Sequence, residues 1–180
     1  GLMAGLEQAG IYKAAFVFIA PAYLLPSTFF QRFLLSRIFR WWESSIHLVP
    51  IVQRSLFGCF IFGGLVAGFF ALFADPLIAI AYGKGYSEAA VYLRWLGLAV
   101  VLHTLAIGVG AYLVTAPGIA RKVRVQVVTA VLNVLGNLLM IPAFGIMGAV
   151  IATIGTEAVL LTGYAAMLMR ELRDRRIALA

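Results

Sequence analysis

The sequence predicts an all-α fold: a polytopic transmembrane helix bundle of about five spans. Three observations predict it. Of the 180 residues, 63% are apolar or aromatic and a further 18 are glycine, only 12% are charged, and mean hydropathy is +1.02. An ordinary soluble domain is about 45–50% apolar with glycine included and about 25% charged, so a soluble fold of this composition would lack the charge to coat its surface. The apolar residues also fall into stretches of roughly 20, the length that crosses a ~30 Å hydrocarbon core. Finally, 11 of the 14 basic residues lie in three regions that alternate with regions poor in charge.

The spans are expected over residues 10–30, 52–73, 91–113, 124–141 and 146–168, within a single membrane domain covering 1–180. The first basic region contains Arg32, Arg37, Arg40 and Arg54, the second Arg121, Lys122 and Arg124, and the third Arg170, Arg173, Arg175 and Arg176. Basic residues are retained on the cytoplasmic side, so the N-terminus of the segment is expected outside and the tail, 169–180, in the cytoplasm. An odd number of spans requires opposite ends, and the charges agree. The net charge of +7 is thereby accounted for without nucleic acid, which is not an expected partner. Membrane lipids are.

Between the first two spans, residues 31–48 are too charged to cross. Phe33, Leu34, Ile38, Trp41 and Trp42 recur at helical spacing among Arg32, Arg37, Arg40 and Glu43, which fits an interfacial amphipathic helix with its tryptophans at headgroup depth. A partner-binding helix is the functional alternative. In the connection after the second span, Asp75-Pro76 is expected to break the helix. Leu77–Tyr82 is then expected to lie at or dip into the interface, and Gly83-Lys84-Gly85 to form a tight turn. Lys84 lacks the spacing and the following Ser or Thr of a phosphate loop. The chain opens Gly1-Leu2-Met3 with no signal-peptide pattern, and reads as a piece of something longer.

No enzyme constellation is present. His103 has no acidic neighbour at helical spacing, and the single Cys59 cannot build a thiolate zinc site or a disulfide framework and reads as a packing residue. No catalytic residue, metal site or cofactor is expected. Ionisable and amide groups inside spans carry the functional signal instead, because they are costly in hydrocarbon and face cavities or partners. Glu157, near the middle of the last span, would take up a proton, hold a coupling cation or gate a hydrophilic cavity; otherwise it is a hydrogen-bonded carboxyl joining two helices. His103 is placed midway along the third span. Arg94, one turn into it, either snorkels to the interface or lines a cavity as a cation. Asn133 and Asn137 are four apart and share a helix face, where they join helices or line a polar path. Gly64 and Gly68 form a GxxxG, and Gly145, Gly148, Ala149, Ala152 and Gly155 a small-residue run, both expected to pack helices.

Three stretches resemble a known family. "AGIYKAAFVF" (9–18), "LIAIAYGKGYSEAAVYLRWLGLAVV" (77–101) and "VLNVLGNLLMIPAFGIMGAVIATIGTE" (131–157) are similar, in order and spacing, to segments of the polysaccharide-biosynthesis (Wzx-type) oligosaccharide flippases of the multidrug/oligosaccharidyl-lipid/polysaccharide exporter superfamily. They cover roughly residues 9 to 168. Gly85 and the Ala116-Pro117-Gly118 turn depart from the family pattern. Family members have two pseudo-symmetric lobes around a central cavity, so the resemblance implies a C-terminal portion of one. It also implies a flippase or exporter of undecaprenyl-pyrophosphate-linked oligosaccharide in the bacterial inner membrane, acting in O-antigen, capsule or exopolysaccharide synthesis, with polymerase and glycan assembly proteins as partners. Arg94, with Lys13, would meet the pyrophosphate, and Glu157 would couple transport to a proton or sodium gradient. A drug/cation antiporter or peptidoglycan-precursor flippase of the same superfamily, or a non-transporting membrane scaffold, are the alternatives.

Overall fold

A computed structural model describes residues 2–29, 48–114 and 119–178. They form five long helices and one short 3₁₀ turn: α1 (Leu2–Phe29), α2 (Leu48–Tyr82), the turn Lys84–Tyr86, α3 (Glu88–Tyr112), α4 (Ile119–Phe144) and α5 (Ile146–Ala178). Each contains a segment long and apolar enough to cross a membrane, and no strand occurs among the described residues. The expected interfacial helix at 31–48, with Trp41 and Trp42, lies outside the described residues apart from Leu48, which already belongs to α2.

The first, second and fourth helices start at Leu2, Leu48 and Ile119, ahead of the expected 10, 52 and 124, and two further boundaries differ from expectation. Asp75-Pro76 does not end the second span: α2 runs through Pro76 to Tyr82. Proline forfeits one backbone hydrogen bond and crowds the carbonyl four residues earlier, but neighbouring helices supply packing that outweighs local propensity. Ala74 and Ile78, on either side of the proline, are buried in the core with Leu93 and Leu96. At ~1.5 Å per residue, Asp75 lies about 40 Å along α2 from Leu48, close to the ~40–45 Å thickness of a bilayer with its headgroups. The second difference is at the C-terminus, where the expected tail from 169 continues α5 as helix to Ala178.

The turns are made where the sequence demands them. Gly83 has φ 78° and donates its N–H to Ala79 O at 3.0 Å, so the chain does turn where Gly83-Lys84-Gly85 predicts it. Between α4 and α5 the chain reverses through the single residue Gly145, at φ 59°, whose N–H bonds Ile141 O at 2.8 Å. A side chain at either position would be strained. Beyond this turn Gly148 lies so close to α4 that an added Cβ would stand 2.2 Å from Met140 O.

Helix α3 is the centre of the assembly, packing against α2, α5 and α1, whereas α4 packs chiefly on α5. Close approach of α2 and α3 depends on glycine, although not on the predicted GxxxG. Gly64 and Gly68 face open space. Their neighbour Gly63 instead meets Val101 backbone, Gly97 meets Ala67, and Gly108 meets Cys59, where an added Cβ would stand 2.6 Å from Sγ. Cys59 is buried there as a packing residue. The small-residue run of α5 packs through Gly148 and Ala152, the latter against Gly136, while Gly155 is free of contact.

The apolar core has two parts. One joins α1, α2, α3 and the start of α5 through Ile19, Phe70, Ile78, Leu93, Leu96 and Val150. The other, toward the opposite end, contains Val52, Val109, Tyr112, Leu113, Tyr164 and Leu168. Cross-ties secure this second end: Tyr112 Oη donates to Ser55 Oγ at 2.8 Å, and Lys122 Nζ to Gly110 O at 2.8 Å while lying over the Tyr164 ring. Between the two apolar clusters lies a layer of polar side chains.

Candidate functional site

This layer is built around His103 and Glu157. His103 Nδ1 is 3.1 Å from both Oε1 and Oε2 of Glu157, a geometry in which one N–H donates to the whole carboxylate. His103 is nine residues before the end of α3 and Glu157 eleven after the start of α5, distances of about 14 and 16 Å along their helices. Each is therefore near the middle of a ~30 Å hydrocarbon layer. Their side chains are 20% and 13% exposed, so the pair is shielded without being sealed. From the first helix Tyr23 covers the imidazole, ring on ring, with centroids 3.8 Å apart and planes within 6°. Its hydroxyl is buried close to the Glu157 carboxylate.

Glu157 also opens into a cleft of about 670 Å³. Because α1 packs mainly on α3 and α4 mainly on α5, a gap remains between α1 and α4, with α5 as its floor. Tyr12, Phe16 and Tyr23 form the α1 wall; Gln126, Thr129, Asn133 and Asn137 supply the polar part of the α4 wall; Thr153, Thr156 and Glu157 line the floor. The amides are held in place. Asn133 Nδ2 donates to Thr156 Oγ1 at 3.0 Å, and Asn137 Nδ2 to the carbonyl and Oδ1 of Asn133 at 2.8 and 3.1 Å. Thr129, Thr153 and Thr156 each donate to a carbonyl one turn back on their own helix, which satisfies the hydroxyl proton and leaves the oxygen as an acceptor. Tyr12 Oη and Thr153 Oγ1, 3.5 Å apart, join the first wall to the floor.

The structure brings four of the five candidate residues to one place: Glu157, Asn133 and Asn137 line the cleft, and His103 stands behind Glu157. Arg94 does not join them. It forms an exposed ion pair with Asp75 near the end of α2, with side-chain exposures of 40% and 64%, where such a pair is worth little to stability. Lys13 is exposed on α1. The expectation that histidine has no acidic neighbour holds along the helix and fails across it, because the partner of His103 is 54 residues away.

Sequence reading also missed Tyr12, Tyr23, Gln126, Thr129, Thr153 and Thr156. A signal for most of them was present. Gln126, Thr129, Asn133 and Asn137 follow intervals of three, four and four, and Thr153, Thr156 and Glu157 intervals of three and one, each set a single polar stripe on a helix.

Over 93 residues, 49% of this chain, the sequence is 31% identical to the "Probable low-salt glycan biosynthesis flippase Agl15" of Haloferax volcanii. The matched part is 19% of that protein, so the chain spans about a fifth of the relative's length. No protein-family model matches the chain. No solved structure matches it.

Proposed function

We propose that this chain is part of a multi-pass membrane flippase that carries a lipid-linked glycan across the bilayer. One observation carries the reading: a cleft at mid-span depth lined by one carboxylate, three side-chain amides and three threonines, inside an otherwise apolar bundle. Polar groups at that depth are expensive in hydrocarbon and belong where a hydrophilic cargo or ion passes. The similarity to a glycan biosynthesis flippase supports the same conclusion, and an exporter rather than an enzyme is the corresponding class. In its finer form the proposal takes the substrate as an undecaprenyl-pyrophosphate-linked oligosaccharide of surface polysaccharide synthesis, in a bacterial inner membrane, with polymerase and glycan assembly proteins nearby. The segment's N-terminus is outside and its C-terminus cytoplasmic. Residues 1–180 act as one membrane domain, with Glu157 and His103 as the coupling pair and Asn133 and Asn137 as cargo contacts.

A second reading has its own observation. The cleft combines one carboxylate with three aromatic rings, from Tyr12, Phe16 and Tyr23, as a drug/cation antiporter would. The engagement of Glu157 by His103 weighs against it, because the imidazole already occupies the carboxylate.

Glu157→Gln in the full-length protein tests the proposal. The substitution keeps size and hydrogen-bonding capacity but removes the charge. Export of lipid-linked glycan is expected to fall about tenfold or more, the scale of losing one charge-assisted contact, with membrane abundance unchanged. Wild-type export at unchanged abundance would overturn the coupling role of Glu157, and absence of glycan export from cells lacking no other transporter component would overturn the flippase reading.

A further inference from the structure

The cleft's chemistry assigns it to one part of such a cargo. We infer that it is a subsite for neutral sugar residues, and that a phosphate-bearing portion of a ligand is held elsewhere. The inference rests on the flippase reading for its biological context, but on the lining side chains for its content.

Among the described residues that line the cleft, none is Lys or Arg. Lys122 donates to Gly110 O and lies over Tyr164, Arg94 is paired with Asp75, and Lys13, exposed on α1, is not among the lining residues. A diphosphate drawn into this space would meet the Glu157 carboxylate with no cation to offset its desolvation, which is strongly unfavourable. A polyhydroxylated ligand meets a different surface. Asn133 keeps one amide proton beyond its bond to Thr156, Asn137 keeps its amide oxygen, and the threonine oxygens offer acceptors whose own protons are already committed to helix carbonyls. Such groups match sugar hydroxyls, each of which donates one hydrogen bond and accepts others.

The opposite wall supplies the complementary half of sugar recognition. Tyr12 and Phe16 are stacked on each other along α1, with centroids 5.9 Å apart and planes 26° from parallel, and both line the cleft. Aromatic faces carry negative charge density, and the C–H face of a pyranose ring is weakly positive, so a sugar can lie against α1 while its hydroxyls reach α4 and α5. A volume of about 670 Å³ is within the ~300–1,000 Å³ of small-molecule sites and accommodates more than one sugar ring.

The test is binding to the purified full-length protein in phospholipid nanodiscs, followed by saturation-transfer NMR. Two probes are used: the neutral oligosaccharide pool released by mild acid from the lipid-linked glycans of the source cells, and inorganic pyrophosphate. The oligosaccharides are expected to bind, and Asn137→Ala to weaken them about five- to tenfold, the scale of one or two lost hydrogen bonds. The side-chain bonds recorded for Asn137 stay within α4, so this variant leaves the α4–α5 contact intact. Asn133→Ala, which also removes the bond to Thr156, is the second variant and is expected to lose at least as much. Pyrophosphate binding, whatever its strength, is expected to be the same in all three proteins. Failure of the oligosaccharides to bind wild-type protein, equal binding to wild type and Asn137→Ala, or selective loss of pyrophosphate in the variants would overturn the subsite. Oligosaccharide binding that is lost in the variants, from a protein that moves no glycan across the bilayer, would uphold the subsite and overturn the flippase reading.

Discussion

At the level of single residues, the decisive pair is His103 and Glu157. Two titratable groups at mid-span depth are tolerated because each satisfies the other, with Tyr23 excluding lipid from the imidazole face. Removing one partner leaves the other buried and uncompensated, which costs more than the pair contributes. His103→Ala and Glu157→Ala are therefore each expected to destabilise the full-length protein in detergent by about 1–3 kcal/mol. The double variant should be less unstable than the two changes summed, with a coupling of about 1 kcal/mol or more. Thermal unfolding of the four proteins measures this cycle, and strict additivity would show that the contact is energetically idle. Arg94 provides the contrast: its pair with Asp75 is exposed, and Arg94→Ala is expected to change stability by less than about 1 kcal/mol.

At the level of helices, packing is set by where glycine removes a side chain, and the structure separates glycines that share a motif. Gly108→Ala would drive a methyl group into Cys59 Sγ, and overpacking of this kind costs about 1–3 kcal/mol. Adding Cys59→Ala removes the clashing atom, leaving Cβ at an ordinary 3.7 Å, so the double variant is expected to recover part of the loss. Gly64→Ala, in open space, is expected to be neutral or to stabilise by up to about 1 kcal/mol, the helix-propensity difference. Melting temperatures in one detergent compare all three. If Gly64→Ala were the damaging change, close approach through the GxxxG would be restored as the explanation. The α4–α5 hairpin has a stricter requirement, because Gly148 meets the backbone carbonyl of Met140, and backbone cannot rotate away as a side chain can.

For the whole molecule, the antiparallel order of helices gathers Arg54, Arg121, Arg124, Arg170 and Arg173 toward one end and the Gly83–Ser87 and Gly145 turns toward the other. In the proposed orientation, which follows the positive-inside rule, the basic end faces the cytoplasm. In a full-length Cys59→Ala background, a cysteine replacing Ser87 is expected to react with an impermeant thiol reagent in intact cells. One replacing Arg121 is expected to react only after permeabilisation, and the reverse pattern would invert the topology. At this scale α4 is also distinctive. It packs mainly on α5, and Val127, Val131, Leu135, Leu138 and Leu139 along it are exposed, as suits a surface facing acyl chains.

The amino-acid sequence by itself determined that the protein is an all-α bundle with five membrane-length helices, because hydropathy is summed over some twenty residues and does not depend on which helices meet. It also determined the turn at Gly83 and the shared face of Asn133 and Asn137, both of which are local. Only the tertiary structure decided what lies opposite what. It paired Glu157 with a histidine on another helix, stacked Tyr23 over that histidine, carried α2 past Pro76 through contacts with α3, and moved the close glycine contact from Gly64 to Gly63. Each of these depends on the rotation and depth of one helix relative to another. That relation is set by packing among residues far apart in the chain, and helical periodicity alone does not contain it.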